Sequence, residues 1–187
     1  MKKPYSELVT RLFLIPRQLE RLFPSDPVEI EQVIRVRESD DTALTDGAEV
    51  ASLDGLRVVR AALFYYFDAL DEAMTTLPDS TDLDTAYWRA MIFRRLGDID
   101  NAKIALRAAG EHPSSNYLHS RVAEQSANMA KQLTWDPYLF VSMAEQNKYG
   151  DQESVDELVY LQKTEFEVMF DYIWRATVQL EPEEESL

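Results

Sequence analysis

The sequence predicts an all-α protein, an antiparallel bundle of about seven to eight helices. No run alternates apolar and polar residues between turn signals, as a half-buried strand would. Only five glycines are present among 187 residues, which leaves few positions for hairpin turns. Acids, prolines and glycines instead stand where helices begin and end. The length fits one domain, which we expect over residues 1–180.

The predicted helices follow one another along the whole chain. They run near residues 4–23, 27–38, 55–77, 82–96, 98–110, 115–133, 137–149 and 151–180. Pro16 should kink or split the first helix. The second begins where Asp26 can cap it, Pro27 suits its first turn and Glu29 completes a capping box.

Later helices have similar boundaries. Thr81 and Asp84 repeat the Thr-x-x-acid pattern, Asp136 precedes a first-turn proline, and Asp151 can cap the last long helix. Glycines stand where helices should stop, because glycine adopts the left-handed conformation at little cost: Gly97, Gly110 and Gly150. The helix over 55–77 is apolar on nearly every face and the last is amphipathic, so both should form the core.

The charge is −15, and it is concentrated in two segments. Residues 38–54 and 181–187 carry ten of those negative charges, so we expect an acidic exposed loop and an acidic disordered tail. An acidic surface argues against a nucleic-acid partner. No apolar run is long enough for a membrane span and no signal cleavage site follows the first residues, so we expect a cytoplasmic protein without a membrane partner.

One segment predicts a helix hairpin of tetratricopeptide-like character. Its small and large residues match the spacing of one such repeat: Ala90, Phe93, Gly97, Ala102, Leu106 and Ala109. No second copy occurs at a 34-residue period. The alternatives are therefore one helix hairpin inside a bundle and a true repeat array that binds peptides.

Three carboxylates stand out in the apolar helix over 55–77. Asp68, Asp71 and Glu72 are spaced i, i+3 and i+4, which places them on roughly one helix face. Buried carboxylates need cations, and Arg94 and Arg95 are the obvious partners. The alternatives are a structural network of ion pairs, a metal or ligand site, and a solvated rim. No Glu-x-x-His partner for a metal exists, and we predict neither metal nor cofactor.

The candidate ligand site would lie between the helices over 55–77 and 82–96. Its candidate residues combine the acids, a basic cluster and aromatic walls: Asp68, Asp71, Glu72, Tyr87, Trp88, Arg94, Arg95, Lys103, Arg107 and Trp135. The absence of cysteine excludes thiolate metal sites and cysteine nucleophiles, and no catalytic serine motif is present. A small anionic molecule would suit the arginines best.

Residues 67–74 resemble a His-Asp-x-Leu-Asp-Glu-x-His segment, and residues 87–98 resemble Tyr-Trp-His-x-Ile-Met-His-Arg-Arg-Glu-x-Asp. Through these two segments the chain resembles an uncharacterised bacterial helical family known from planctomycete and acidobacterial genomes. The family's histidines are replaced in this chain by Phe67, Met74, Arg89 and Phe93. The resemblance implies a paralogue that has lost a histidine site.

Two functions are consistent with these observations. The first is a non-enzymatic interaction or scaffold protein that binds a partner protein or a second copy of itself. The second is a small anionic-ligand-binding protein, or an enzyme, that uses the pocket of acids and arginines. Direct buried pairs without a cavity would favour the first, and a pocket of ligand size around the arginines would favour the second.

Overall fold

The all-α prediction is confirmed, although the described residues form ten α-helices rather than the predicted seven to eight. The computed structural model describes residues 5–16, 18–27 and 29–179, and the predicted acidic tail over 181–187 lies outside them. Its helices are α1 (Glu7–Phe13), α2 (Ile30–Glu38), α3 (Asp41–Thr45), α4 (Leu53–Tyr66), α5 (Leu70–Thr76), α6 (Leu83–Leu96), α7 (Ile99–Ala109), α8 (Ser115–Val122), α9 (Pro137–Gln146) and α10 (Gln152–Thr177). Two short strands, β1 (Glu49–Val50) and β2 (Val178–Gln179), complete it. No described helix combines the length and apolar character that crossing a membrane requires.

Some predicted caps are present and others are wrong. Asp82, not Thr81, is the N-cap of α6 and accepts a hydrogen bond from the Thr85 N–H, and α9 already ends at Gln146, before Gly150. Asp136 accepts a hydrogen bond from the Leu139 N–H, and Asp151 accepts one from the Ser154 N–H, as predicted. Gly97 adopts φ +78° after α6, where its N–H bonds the carbonyl of Arg94 and ends the helix. Helix α6 packs most extensively on α7, the next helix along the chain. The tetratricopeptide-like character of this pair stays a prediction.

Several predicted helices are shorter or split. α1 covers only residues 7–13 of the predicted 4–23, and α8 ends at Val122, well before residue 133. The predicted capping box at Asp26 is wrong, because α2 begins at Ile30. The predicted helix over 55–77 is interrupted after Tyr66, and Asp68 takes a left-handed φ of +59° between α4 and α5.

The acidic segment over 38–54 is not only an exposed loop. It contains α3, whose Leu44 and Thr45 are buried, and the strand β1. Val50 of β1 lies opposite Val178 of β2 in an antiparallel pair, and Ala51 donates to the carbonyl of Thr177. The acids face water, while Leu44 anchors the segment in the core and the strand pairing joins it to the end of α10.

The core lies between α4, α6 and α10. As predicted, α4 is buried over most of its surface and α10 buries an apolar stripe. Phe166, Phe170 and Trp174 on that stripe stack on one another. The inner faces of α6 and α10 also bury charged residues, as does the break that follows α4, and these residues form the candidate site.

Candidate functional site

A buried ion pair joins α6 to α10. Arg94 Nη2 donates to Glu165 Oε2 over 2.6 Å, and the two side chains are 3% and 1% exposed. The guanidinium carbon of Arg94 also lies 4.0 Å from the centre of the Phe140 ring. Burial is the largest single influence and lowers the pKa of Arg94, but the charge and hydrogen bond of Glu165, together with Tyr65 and Tyr87, shift it upward overall. The arginine is therefore charged and bound to this carboxylate, and its Nη2 makes a second, longer bond of 3.4 Å to Tyr65 Oη.

The second oxygen of Glu165 ends a chain of hydrogen bonds. Trp135 Nε1 donates to Tyr87 Oη over 2.7 Å, and Tyr87 Oη donates to Glu165 Oε1 over 3.0 Å. Burial, followed by the Glu165 charge, raises the pKa of Tyr87 well above its ordinary value. The phenol therefore remains a neutral donor, and both carboxylate oxygens of Glu165 are satisfied.

A second buried pair joins α6 to the break between α4 and α5. Arg95 Nη2 donates to Asp68 Oδ1, which confirms the predicted pairing between Asp68 and an arginine of this helix. The same guanidinium donates to the carbonyls of Tyr65 and Arg21, over 3.0 and 2.9 Å. Arg21 in turn donates to Asp68 Oδ2 over 2.7 Å. The break in the helix places the Asp68 carboxylate between two arginines.

The three predicted acids do not share one helix face. Because the helix is interrupted at Asp68, this carboxylate is buried whereas Asp71 is exposed. Glu72 bonds Arg37 of α2 over 2.8 Å at the surface. The prediction that i, i+3 and i+4 spacing would align them is wrong, since that spacing holds only inside one continuous helix.

The other candidate residues do not gather around the arginines. Trp88 is fully buried, and its Nε1 has no hydrogen-bond partner in the described part of the chain. Lys103 lies 3.7 Å from Glu145, and Arg107 is exposed on α7. Among the residues described, acids and arginines thus meet in direct pairs, and neither Arg94 nor Arg95 lines any of the clefts described below.

Glu165 is the central residue that the sequence-based prediction missed. It stands seven residues after Leu158 and four before Met169, both buried, so its position falls on the apolar stripe of the last helix. An acid on a buried stripe needs a cation. The spacing of the apolar residues in the last helix could therefore have predicted that Glu165 is buried and pairs with an arginine.

Tyr87 and Trp135 do border a surface cleft of about 470 Å³, which we call the α9 cleft. Its lining also includes Glu111, Leu133, Asp136 and Tyr138. Leu133 is 100% exposed and Tyr138 is 41% exposed, although both are large apolar side chains.

A second surface cleft, of about 400 Å³, opens between the N-terminal segment, α4 and α10. Its walls include five aromatic rings, so we call it the aromatic cleft: Tyr5, Phe13, Tyr66, Phe166 and Phe170. Gln18 also lines it, together with Lys163 and Glu167. The sequence-based prediction missed this site, because its walls come from three distant segments.

The positions that resemble the family's histidines are occupied here by packing and hydrogen-bonding residues. Phe67 is fully buried against Tyr66, and Arg89 donates to the carbonyls of Pro78 and Ser80. The described residues contain no cluster of three or more potential metal ligands. Comparison with protein families, curated proteins and solved structures found no match for this chain. The family resemblance therefore stays a prediction.

Proposed function

We propose that this chain is a non-enzymatic interaction protein of the cytoplasm, with α6 and α7 as a tetratricopeptide-like pair. Its partner is a protein segment with apolar and basic side chains, which binds in the α9 cleft. The observation that carries the proposal is the exposure of Leu133 and Tyr138 beside a cleft floored by Trp135. Apolar side chains grouped at a cleft with a polar edge are typical of protein-binding surfaces.

The charge around the cleft defines the partner. Glu111 and Asp136 border it, and no lysine or arginine is present in its lining as far as the structure describes the chain. The whole chain carries −15. The net negative charge therefore attracts a basic segment before contact, and Glu111 and Asp136 attract it at the rim of the cleft. The buried Tyr87–Glu165 bond beneath the floor keeps Trp135 fixed, which suits a preformed apolar surface.

The ion pairs support this function over the small anionic ligand. An anion would have to displace Glu165 from Arg94 or Asp68 from Arg95, and both arginines are almost fully buried. Each displacement would leave a buried carboxylate without its partner, which is strongly unfavourable. A surface that is already exposed and rigid has no such cost.

The test is a selection of short peptides from a random displayed library on the purified protein. We expect enriched peptides to combine a large apolar residue with lysine or arginine, and to bind more weakly as salt increases. The double variant Leu133→Ser/Tyr138→Ala should weaken these peptides at least about tenfold. The matched control is Tyr149→Ala, because Tyr149 is 92% exposed and does not line the cleft.

Two results would contradict the proposal. One is a selection without enrichment on the wild-type protein. The other is a set of peptides that binds the double variant and the wild type equally. Light scattering of the protein alone tests whether a second copy of the chain is the partner. A dimer that dissociates in the Leu133→Ser variant would show that the α9 cleft binds a second copy.

A further inference from the structure

We propose that the aromatic cleft binds a small, uncharged planar aromatic molecule whose ring carries an N–H or O–H donor, of the indole or phenol class. The cleft is separate from the α9 cleft and adds a ligand to the proposed interaction function. Its volume of about 400 Å³ lies in the range of small-molecule sites.

The walls favour a flat ring. Phe13 lies 4.8 Å from Phe170 and 5.0 Å from Tyr66 between ring centres, with the planes steeply inclined. Tyr5 meets Phe13 edge to face at 5.4 Å. Because the wall rings lie at steep angles to one another, an aromatic ligand can stack on one of them and contact another edge to face, which are the two favoured geometries of aromatic pairs. Burial raises the pKa of both Tyr5 and Tyr66 to about 12, so these walls carry no charge near neutral pH.

One buried polar group in the lining lacks a partner. Gln18 is only 6% exposed, and its Nε2 donates to the carbonyl of Pro16 over 2.9 Å. Its Oε1 receives no hydrogen bond from any residue that the structure describes. A buried carbonyl oxygen without a donor is unfavourable. This oxygen has almost no exposed surface, so the Gln18 side chain must turn toward the ligand to accept a hydrogen bond from the ring's donor, and that bond distinguishes indole or phenol from a plain hydrocarbon.

The charged residues in the lining select neither an anion nor a cation. Lys163 and Glu167 contribute one charge of each sign. Glu167 bonds Arg121 over 3.1 Å, and Lys163 lies 3.5 Å from Glu20, so each charge already has a counter-ion. The aromatic rings are then the main source of affinity, and an uncharged ligand loses no ionic hydration on binding.

The experiment compares two probes of the same shape, indole and indene, which lacks the N–H. Each is titrated into isotope-labelled full-length protein, and binding is followed by amide chemical shifts. We expect indole to bind with a Kd on the order of 0.1–1 mM and to shift resonances of the cleft residues. Indene should bind about three- to tenfold more weakly, because Gln18 Oε1 then stays without a donor.

Two variants with matched controls test the location. Ile15→Trp fills the cleft and should abolish indole binding, whereas Leu14→Trp should not, since Leu14 is exposed and lies outside the lining. Gln18→Met should equalise indole and indene. The α9-cleft variant Leu133→Ser/Tyr138→Ala should leave indole binding unchanged, which separates failure of this site from failure of the peptide site.

Three outcomes would overturn the proposal. They are the absence of indole-induced shifts in the wild type, shifts confined to residues away from the cleft, and equal losses in Ile15→Trp and Leu14→Trp. Equal affinities of indole and indene for the wild type would refute the role of Gln18. That comparison needs no variant, so it stands even if Gln18→Met does not fold.

Discussion

Removing the guanidinium of Arg94 should destabilise the protein far more than removing an exposed arginine. In Arg94→Leu, Glu165 keeps the bond from Tyr87 but loses the 2.6 Å bond and its counter-ion, while remaining 1% exposed. Leaving one member of a buried pair uncompensated costs about 3–5 kcal/mol, and the lost contact with the Phe140 ring adds about 1 kcal/mol. We therefore expect a loss of about 4–6 kcal/mol.

Urea unfolding followed by circular dichroism measures this loss, and thermal unfolding should show a Tm lowered by about 10–20 °C. The control is Arg175→Leu, because Arg175 pairs with Asp171 on the surface of α10. That change should cost no more than about 0.5 kcal/mol. The double variant Arg94→Leu/Glu165→Leu should recover at least about 2 kcal/mol of the single variant's loss, since no buried charge remains. Equal effects of Arg94→Leu and Arg175→Leu would refute the argument.

Three further predictions follow from the described contacts. Asp68→Asn should cost about 3–5 kcal/mol in urea unfolding, because fully buried Arg95 loses its counter-ion, whereas exposed Asp71→Asn should change stability by less than about 0.5 kcal/mol. Gly55→Ala should cost about 1–3 kcal/mol, since the new Cβ would overlap Thr177 Oγ1; in a Thr177→Ala background the same change should be close to neutral, and equal costs in both backgrounds would exclude the clash. Five of the nine tyrosines have raised pKa values: Tyr5, Tyr65, Tyr66, Tyr87 and Tyr172. Unfolded tyrosines near pKa 10 then lose protons first, so the contribution of these five tyrosines to the unfolding free energy should be unchanged below pH 10 and fall above it. Urea unfolding at a series of pH values measures this, and a stability that does not fall above pH 10 would contradict it.

Local signals in the sequence predicted the parts of the fold that depend on neighbouring residues. The caps at Asp136 and Asp151 and the stop at Gly97 need only a few residues of chain, and all three are present. The cost of an isolated buried charge predicted that Arg94 or Arg95 would pair with the acids of this region, and Arg95 does pair with Asp68, whereas Arg94 pairs with Glu165 instead.

What the sequence did not predict depends on contacts between distant segments. No proline or glycine marks the break at Asp68, where the two arginines hold the carboxylate. Leu44 stands in an acidic stretch of the sequence, and it is buried only because distant segments pack around it in the core. The aromatic cleft likewise exists only after α10 lies beside the N-terminal segment, so no local pattern contains it.

The separation of 71 residues between Arg94 and Glu165 affects the order of folding during synthesis. A nascent chain that has been made only as far as α9 already contains Arg94 and strand β1. It does not yet contain Glu165, which pairs with Arg94, or strand β2, which pairs with β1. Until α10 emerges, the guanidinium must stay hydrated and the inner face of α6 cannot close. Completion of the core is therefore a late, cooperative step, and chaperones would meet an open intermediate before it.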